Sequence, residues 1–146
     1  MICYLDTSAL VKLYVEEDGS VKVRQHVRDA LMVATSKVAY AEARAAFARC
    51  MREGILPESA HRNVVANFNA DWASYFVLEL TDTVAIKAGE LAERYALRGF
   101  DSIHLSSVLT LAEKLTQERC PEKLEAGCWD NRLAEALRLS GIPVFP

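Results

Sequence analysis

The sequence lacks both a long apolar segment and the features of an export signal. No apolar stretch in its 146 residues approaches the roughly 18 to 20 residues that a membrane-spanning helix requires. The first six residues, MICYLD, carry no basic side chain and already include an acid, which is not typical of a signal peptide. We therefore expect a soluble cytoplasmic protein that does not associate with membranes.

Patterns typical of zinc binding, disulfide bonding and nucleophilic catalysis are also missing. The four cysteines form no CxxC pair and the three histidines are scattered, which argues against a zinc centre or a disulfide framework. No Ser/His/Asp or Cys/His triad is visible. Cys3 and Cys50 fall in apolar patterns, so we predict that both are small core residues.

The chain has no excess of positive charge, unlike a protein that simply adheres to nucleic acid. It has 17 basic and 20 acidic residues, a formal charge of −3, whereas nonspecific binding depends on neutralising phosphates. If its carboxylates held two Mg²⁺ ions, the bound form would carry a charge of about +1. The charge balance therefore does not exclude a nucleic-acid substrate.

Strand-like and helix-like segments alternate along the chain. The apolar run Ile2–Leu5 is typical of a strand buried on both faces. Further strands are expected at about 31–35, 76–80, 126–129 and 142–145. This alternation predicts an α/β fold in three layers, with helices on both sides of a central, mainly parallel sheet of about four to five strands. We expect a single domain spanning residues 1–146.

Capping residues and glycines predict where the helices begin and end. We expect helices at about 9–17, 21–28, 36–52, 57–75, 82–97, 101–117 and 130–139. Ser36 is the expected cap of the third helix, and Gly99 is expected to end the fifth. Because crossovers between parallel strands are right-handed, the strand ends and any site should lie along one edge of the sheet.

Four carboxylates occupy positions where a domain normally avoids charge. Asp6 ends the first strand, and Glu42 lies in an apolar helical face. Asp101 and Asp130 begin segments whose following residues have apolar helical periodicity. Buried carboxylates are costly unless they are paired or bound to a cation, and no basic residue is spaced to pair with each of them locally. We therefore expect the four to converge on one divalent-metal site.

Asp6 and Glu42 each have an alternative interpretation. Asp6 can simply cap the following helix, but Thr7 or Ser8 can cap equally well and would free Asp6 to bind a ligand. Glu42 can be a surface residue, yet its neighbours one turn away are apolar and mostly small, whereas a solvated Glu usually has polar neighbours there. We favour a ligand role for both.

Asp101, Asp130 and His104 allow similar alternatives. Asp101 starts a buried helical stripe that continues through Leu105 and Val108, so it is either a capping acid or an inward-facing ligand. Asp130 has the same two interpretations. We interpret His104, one turn after Asp101, as a core residue or a residue that holds a ligand in place.

The basic residues near Glu42 that are candidates for a phosphate path are Lys12, Arg44, Arg49 and Arg52.

Four short motifs carry a resemblance over nearly the whole chain. They are YLDTSALVKLY at 4–14, AE at 41–42, RGFDSIHL at 98–105, and WDNRL at 129–133 followed by GIPV at 141–144. In this combination the chain resembles the PIN-domain ribonucleases, in particular toxins of the VapC type. Where that family usually has Thr two residues before the last acid, this chain has Cys128.

The resemblance implies a fold, a site and partners. It implies a PIN-like fold in which Asp6, Glu42, Asp101 and Asp130 bind Mg²⁺ or Mn²⁺, with Ser8 close to the bound water. It also implies an RNA substrate, a homodimer, and an antitoxin whose tail blocks the cleft. The implied function is a divalent-metal-dependent endoribonuclease, the toxin of a toxin–antitoxin pair, in which metal-activated water hydrolyses a phosphodiester bond.

Other functions remain open on the sequence alone. One is a PIN nuclease that processes RNA without a toxin role, and another is a non-catalytic PIN-like module that binds RNA or protein. A phosphotransferase of the haloacid-dehalogenase kind also starts from an aspartate at a strand end. That family places a second aspartate two residues later, however, and this chain has Ser8 there.

Overall fold

The computed structural model describes residues 1–146 and is built around one five-stranded sheet. The strands are β1 (Ile2–Leu5), β2 (Met32–Ser36), β3 (Phe76–Leu78), β4 (Leu124–Gly127) and β5 (Val144–Phe145). All neighbouring pairs are parallel, in the spatial order β3-β2-β1-β4-β5. The predicted α/β class, with a central parallel sheet, is therefore confirmed.

Seven helices connect the strands and cover both faces of the sheet. They are α1 (Thr7–Val11), α2 (Ser20–Asp29), α3 (Ala39–Arg52), α4 (Glu58–Trp72), α5 (Asp82–Tyr95), α6 (Gly99–Gln117) and α7 (Asn131–Leu139). None of them combines the length and the apolar character needed to cross a membrane.

The central strand β1 supplies side chains to two separate cores. Ile2 and Tyr4 belong to a cluster of 16 buried residues that includes side chains of α5, α6 and α7. Cys3 and Leu5 belong to a cluster of 13 buried residues that includes side chains of α1 to α4. Because successive side chains of a strand point to opposite faces, this short strand holds the three layers together, as its uninterrupted apolar sequence predicts.

The first helix is shorter than predicted, because the loop after it folds back and is closed by a serine. Helix α1 ends at Val11 instead of near residue 17. The hydroxyl of Ser20 accepts a hydrogen bond from the Glu17 N–H (3.0 Å) and donates one to the Val15 carbonyl (3.3 Å). Val15 is thereby buried in the second core.

The expected end of α5 at Gly99 is wrong. The helix ends at Tyr95, where Ala96 adopts a left-handed conformation (φ 52°) and the Leu97 N–H bonds to the Ala92 carbonyl (3.1 Å). Gly99 is instead the first residue of α6, and Arg98 is the N-cap residue of that helix. This early turn places Asp101 in the first turn of α6.

The strand order predicts where a ligand can bind. The connection after β1 leads to β2 on one side, whereas the connection after β4 leads to β5 on the other. Diverging connections of this kind leave a crevice at the carboxyl ends of the two adjacent strands. Asp6 follows β1 directly, and Asp130 follows β4 after two further residues. Both acids therefore lie at the crevice.

Candidate active site

A cavity of about 720 Å³ opens at this edge of the sheet, and all four predicted acids line it. Asp6 comes from the end of β1, Glu42 from α3, Asp101 from α6 and Asp130 from the loop before α7. Ser8 also lines the cavity. The fold thus gathers side chains from most of the length of the chain around one opening.

Asp6 is the N-cap residue of α1, one of the two roles considered for it from the sequence. Its Oδ1 accepts a hydrogen bond from the Ala9 N–H (2.8 Å), so neither Thr7 nor Ser8 takes over the capping role. The residue is only 3% exposed. Burial raises the pKa of the Asp6 carboxyl, and the nearby His104 and the hydrogen bonds to Asp6 offset this only in part. The protein therefore supplies less positive charge than a buried carboxylate requires.

Ser8 connects Asp6 to the loop after β4. Its hydroxyl lies 2.7 Å from Asp6 Oδ1 and 2.9 Å from Oδ2, to which it donates. The same oxygen accepts a hydrogen bond from the Trp129 N–H at 2.8 Å. The side chain of Trp129 in turn packs against Gly19 and Phe145. Ser8 thus fixes the Asp6 carboxylate relative to the segment that carries Asp130.

Glu42 is held by a chain of hydrogen bonds that begins in the core. The hydroxyl of Tyr4 lies 2.9 Å from His104 Nδ1, and His104 Nε2 lies 2.9 Å from Glu42 Oε1. Thr7 donates its hydroxyl proton to the same Oε1 at 2.7 Å. Since a carboxylate only accepts, His104 donates from Nε2 to Glu42, while its Nδ1 pairs with the Tyr4 hydroxyl.

These contacts determine the charge state of Glu42. Burial alone would raise the pKa of its carboxyl, but the hydrogen bonds from His104 and Thr7 and the nearby Arg98 lower the pKa below its ordinary value. Glu42 is therefore ionised at neutral pH. Its apolar neighbours Val38 and Ala45 line the cavity beside it, which accounts for the small apolar residues around this acid in the sequence.

Asp101 and Asp130 share one arginine. Arg98 donates from Nε to Asp101 Oδ2 (3.1 Å) and from Nη2 to Asp130 Oδ2 (3.3 Å). Asp130 also caps α7, because its Oδ1 accepts from the Leu133 N–H at 2.9 Å. The expectation that these acids lack a local basic partner is therefore wrong for Asp101, which has Arg98 three residues earlier. The Arg98 side chain is 77% exposed, so both of its ion pairs are open to water.

The four acids offer oxygen donors, the kind of ligand that a hard divalent cation binds. In each carboxylate the protein holds one oxygen: Oδ1 of Asp6 and Asp130, Oε1 of Glu42 and Oδ2 of Asp101. Of the remaining oxygens, Asp6 Oδ2 accepts a hydrogen bond only from Ser8, and Asp130 Oδ2 only from Arg98. The remaining oxygens of Glu42 and Asp101 accept from no protein group. Mg²⁺ and Mn²⁺ prefer such oxygen ligands. As the side chains stand, no three Asp, Glu, His or Cys residues form a group able to hold one ion.

Several cavity residues were not identified from the sequence. Arg98 is one of them. It lies three residues before Asp101, a spacing that predicts an ion pair once the start of α6 is known. Phe100 is another, 57% exposed at the cavity mouth, and no sequence pattern separates it from a core aromatic residue.

Of the basic residues considered for a phosphate path, Arg49 and Arg52 line the cavity. The other two do not: Arg44 bonds to the Tyr40 hydroxyl and Lys12 pairs with Glu17.

Comparison with known proteins bears on the family and the fold of the chain. The family model described as the PIN domain matches residues 3–117. The chain is 36% identical to Ribonuclease VapC45 of Mycobacterium tuberculosis, over 99% of this chain and 95% of that protein. Two solved structures share the fold. FitAcB from Neisseria gonorrhoeae has a TM-score of 0.64 at 16% identity, covering 100% of this chain and 97% of that one. VapBC2 from Rickettsia felis, bound to a promoter DNA fragment, has a TM-score of 0.61 at 14% identity, covering 99% and 98%.

Proposed function

The chain belongs to the PIN-domain family, and we propose that it is a divalent-metal-dependent endoribonuclease, the toxin of a toxin–antitoxin pair. One observation carries the proposal. Four carboxylates from distant parts of the chain line a single cavity, and one of them, Asp6, is buried without a compensating cation. The relative named Ribonuclease VapC45, similar over nearly the full length of both chains, supports the same activity.

Asp6, Glu42, Asp101 and Asp130 are the proposed ligands of Mg²⁺ or Mn²⁺. Held by these residues, such an ion would supply polarisation of the scissile phosphate and an activated water molecule as the nucleophile. Ser8 lies beside Asp6 at hydrogen-bond distance, so its proposed role is to hold that carboxylate and to contact the bound water. No other nucleophile is required of the protein.

The remaining polar residues of the site act by positioning. His104 and Thr7 keep Glu42 ionised and fix its Oε1, which leaves Oε2 without a hydrogen bond from the protein. Both ring nitrogens of His104 are engaged, Nε2 with Glu42 and Nδ1 with the Tyr4 hydroxyl. His104 therefore has no free lone pair with which to take a proton from water, and it orients a ligand instead of acting as a general base.

The surface around the acids suits a single-stranded RNA. Arg49 and Arg52 line the same cavity as the acids and offer charge for backbone phosphates. Phe100 exposes more than half of its surface there, and an exposed aromatic ring beside basic groups is a platform on which an unpaired base can stack. We propose that RNA enters along these three residues.

The proposal extends to partners and location. We propose a homodimer in the cytoplasm, inhibited by an antitoxin that covers the cavity. Among the solved structures that share the fold, one from Klebsiella pneumoniae is described as a toxin–antitoxin complex, which supports an antitoxin partner. Light scattering of the purified protein, alone and mixed with the product of a short reading frame immediately upstream of its gene, tests both associations.

Cleavage of RNA under controlled metal conditions tests the activity. Purified protein is incubated with total RNA in EDTA, then with excess Mn²⁺, and in parallel with the Asp6→Asn variant prepared in the same way. We expect cleavage only by the wild-type protein and only with the ion. Binding of RNA without cleavage in Mg²⁺, Mn²⁺ or any other divalent ion would favour a non-catalytic module. Equal cleavage by Asp6→Asn would refute the proposed site.

A further inference from the structure

One guanidinium group bonds to two of the four proposed metal ligands. Arg98 reaches Asp101 with Nε and Asp130 with Nη2, and in both cases the acceptor is Oδ2. Arg49 and Arg52 line the same cavity but form no ion pair with these acids. Arg98 is thus the basic side chain that contacts both of these carboxylates.

The environment of this ion pair makes it easy to displace. The Arg98 side chain is 77% exposed, whereas those of Asp101 and Asp130 are 18% and 29% exposed. Exposed ion pairs are weak because water and salt screen them. A divalent ion carries twice the charge and binds carboxylate oxygens directly. At millimolar concentration such an ion therefore competes well for the same oxygens.

Room exists for the displaced side chain close to the acids. A second cavity of about 430 Å³ adjoins the first and is lined by Arg98, Phe100, Glu42, Asp101 and Gly99. No hydrogen bond other than those to the two acids holds the guanidinium. The planar guanidinium forms paired hydrogen bonds to phosphate as readily as to carboxylate.

We propose that Arg98 is an exchangeable cation: it neutralises Asp101 and Asp130 while the cavity holds no divalent ion, is released when the ion binds them, and then contacts a phosphate of the RNA. This inference rests on the proposed function, because it requires the ion at these carboxylates. It assigns Arg98 two successive partners, first the metal ligands and then the substrate.

Mn²⁺ titration calorimetry on the wild type and two variants tests whether Arg98 competes with the ion for Asp101 and Asp130. The variants are Arg98→Gln, which removes the bridging charge, and Arg94→Gln, which removes an exposed arginine four residues away that forms no ion pair. We expect Arg98→Gln to bind Mn²⁺ about tenfold more tightly than the wild type, since a competing charge within bonding distance is gone. Arg94→Gln should stay within about twofold, because distant exposed charges are screened.

Thermal unfolding of the same proteins adds a structural readout. Without metal, Arg98→Gln should melt below the wild type, because Asp101 and Asp130 then repel each other unpaired. Saturating Mn²⁺ should close that gap. If Arg98 merely stabilises the start of α6, the gap will persist with Mn²⁺ and the affinity will not rise, which would overturn the proposal. If the wild type itself binds no Mn²⁺, the proposed metal site fails as well.

RNA binding in the presence of Ca²⁺ tests whether the released Arg98 contacts a phosphate of the RNA. Affinity for a short single-stranded RNA is measured over a range of salt concentrations, with a gel to confirm that the RNA stays intact. Loss of one phosphate contact should lower the slope of log K against log salt by about 0.7 in Arg98→Gln. Arg98→Lys should keep most of the slope. An unchanged slope in Arg98→Gln would contradict the phosphate contact and with it the exchange.

Discussion

His104 and Glu42, which are 62 residues apart in the sequence, meet at 2.9 Å between Nε2 and Oε1. His104 is only 2% exposed, and its other ring nitrogen contacts the Tyr4 hydroxyl at the centre of the sheet. The interior of the protein therefore determines the orientation of an acid at the cavity. This relation confirms that His104 is a core residue, and the hydrogen bond to Glu42 supports the proposal that it holds a metal ligand in place.

Replacing His104 should lower both activity and stability. His104→Ala removes the donor to Glu42 and leaves the Tyr4 hydroxyl without its partner, so kcat should fall by about 10- to 100-fold. The free energy of unfolding should fall by about 2–4 kcal/mol, from the cavity and the unpaired groups. Cleavage kinetics with Mn²⁺ and urea unfolding measure the two effects.

His104→Gln separates the two effects, because its amide can still donate to Glu42. We expect this variant to recover part of the kcat that His104→Ala loses. If His104→Ala and His104→Gln were equally inactive while equally folded, a role for the imidazole beyond orientation would be indicated, against the account given above.

Asp6→Asn should abolish cleavage without unfolding the protein. Asparagine caps helices as well as aspartate does, so the bond from the Ala9 N–H is kept while the buried negative charge is removed. We expect at least a 100-fold loss of activity, since even groups that only orient metal ligands contribute about 10- to 100-fold. The metal-free melting temperature should stay equal or rise. Asp18→Asn, an exposed loop residue, is the matched control.

Phe100→Ala should weaken RNA binding and leave the metal site unchanged. Loss of base stacking on an aromatic ring costs about 1–3 kcal/mol, which predicts a higher KM with a nearly unchanged affinity for Mn²⁺. Ile86→Ala removes a similarly exposed apolar side chain, 67% exposed on α5 and absent from the cavity lining, as a control. Equal KM values for Phe100→Ala and Ile86→Ala would show that the ring does not contact the substrate.

Two glycines with similar backbone conformations provide a matched test of the loop behind the site. Gly19 and Gly54 have φ angles of 88° and 76°, but only at Gly19 would a Cβ collide with Trp129, at 2.6 Å. Gly54→Ala should cost about 1–2 kcal/mol for the left-handed conformation alone. Gly19→Ala should cost a further ~1–3 kcal/mol for overpacking, measured by urea unfolding.

The same comparison reports on the site, because Trp129 donates its backbone N–H to Ser8. Gly19→Ala should therefore also reduce cleavage, whereas Gly54→Ala should not. If the two variants lost the same stability and kept the same activity, Trp129 would not be coupled to the site in the way the hydrogen bonds indicate.

Local sequence patterns are enough to predict the layers of the fold and to identify which acids are candidates for the site. The apolar run of β1 predicts a doubly buried strand, and the small apolar neighbours of Glu42 mark a carboxylate outside a solvated surface. These features are short-range, so they can be recognised in a single sequence. The short α1, by contrast, depends on the loop closed by Ser20, which periodicity does not reveal.

The arrangement inside the site depends on contacts between distant segments. Gly99 is a plausible helix end by composition, yet the left-handed Ala96 and the buried Leu97 turn the chain earlier. That shift places Arg98 where it reaches both Asp101 and Asp130. The Tyr4–His104–Glu42 chain likewise joins three elements that meet only in the folded protein. Such pairings lie beyond what spacing along one chain can predict.

A crystal of the protein soaked in Mn²⁺ and measured at the manganese absorption edge tests the central claim most directly. We predict an anomalous peak within direct bonding distance of oxygens from the four proposed ligands, Asp6, Glu42, Asp101 and Asp130, with Arg98 moved away from both of its acids. A cavity with no peak at saturating Mn²⁺, or a peak at a different place with the Arg98 pairs intact, would contradict it.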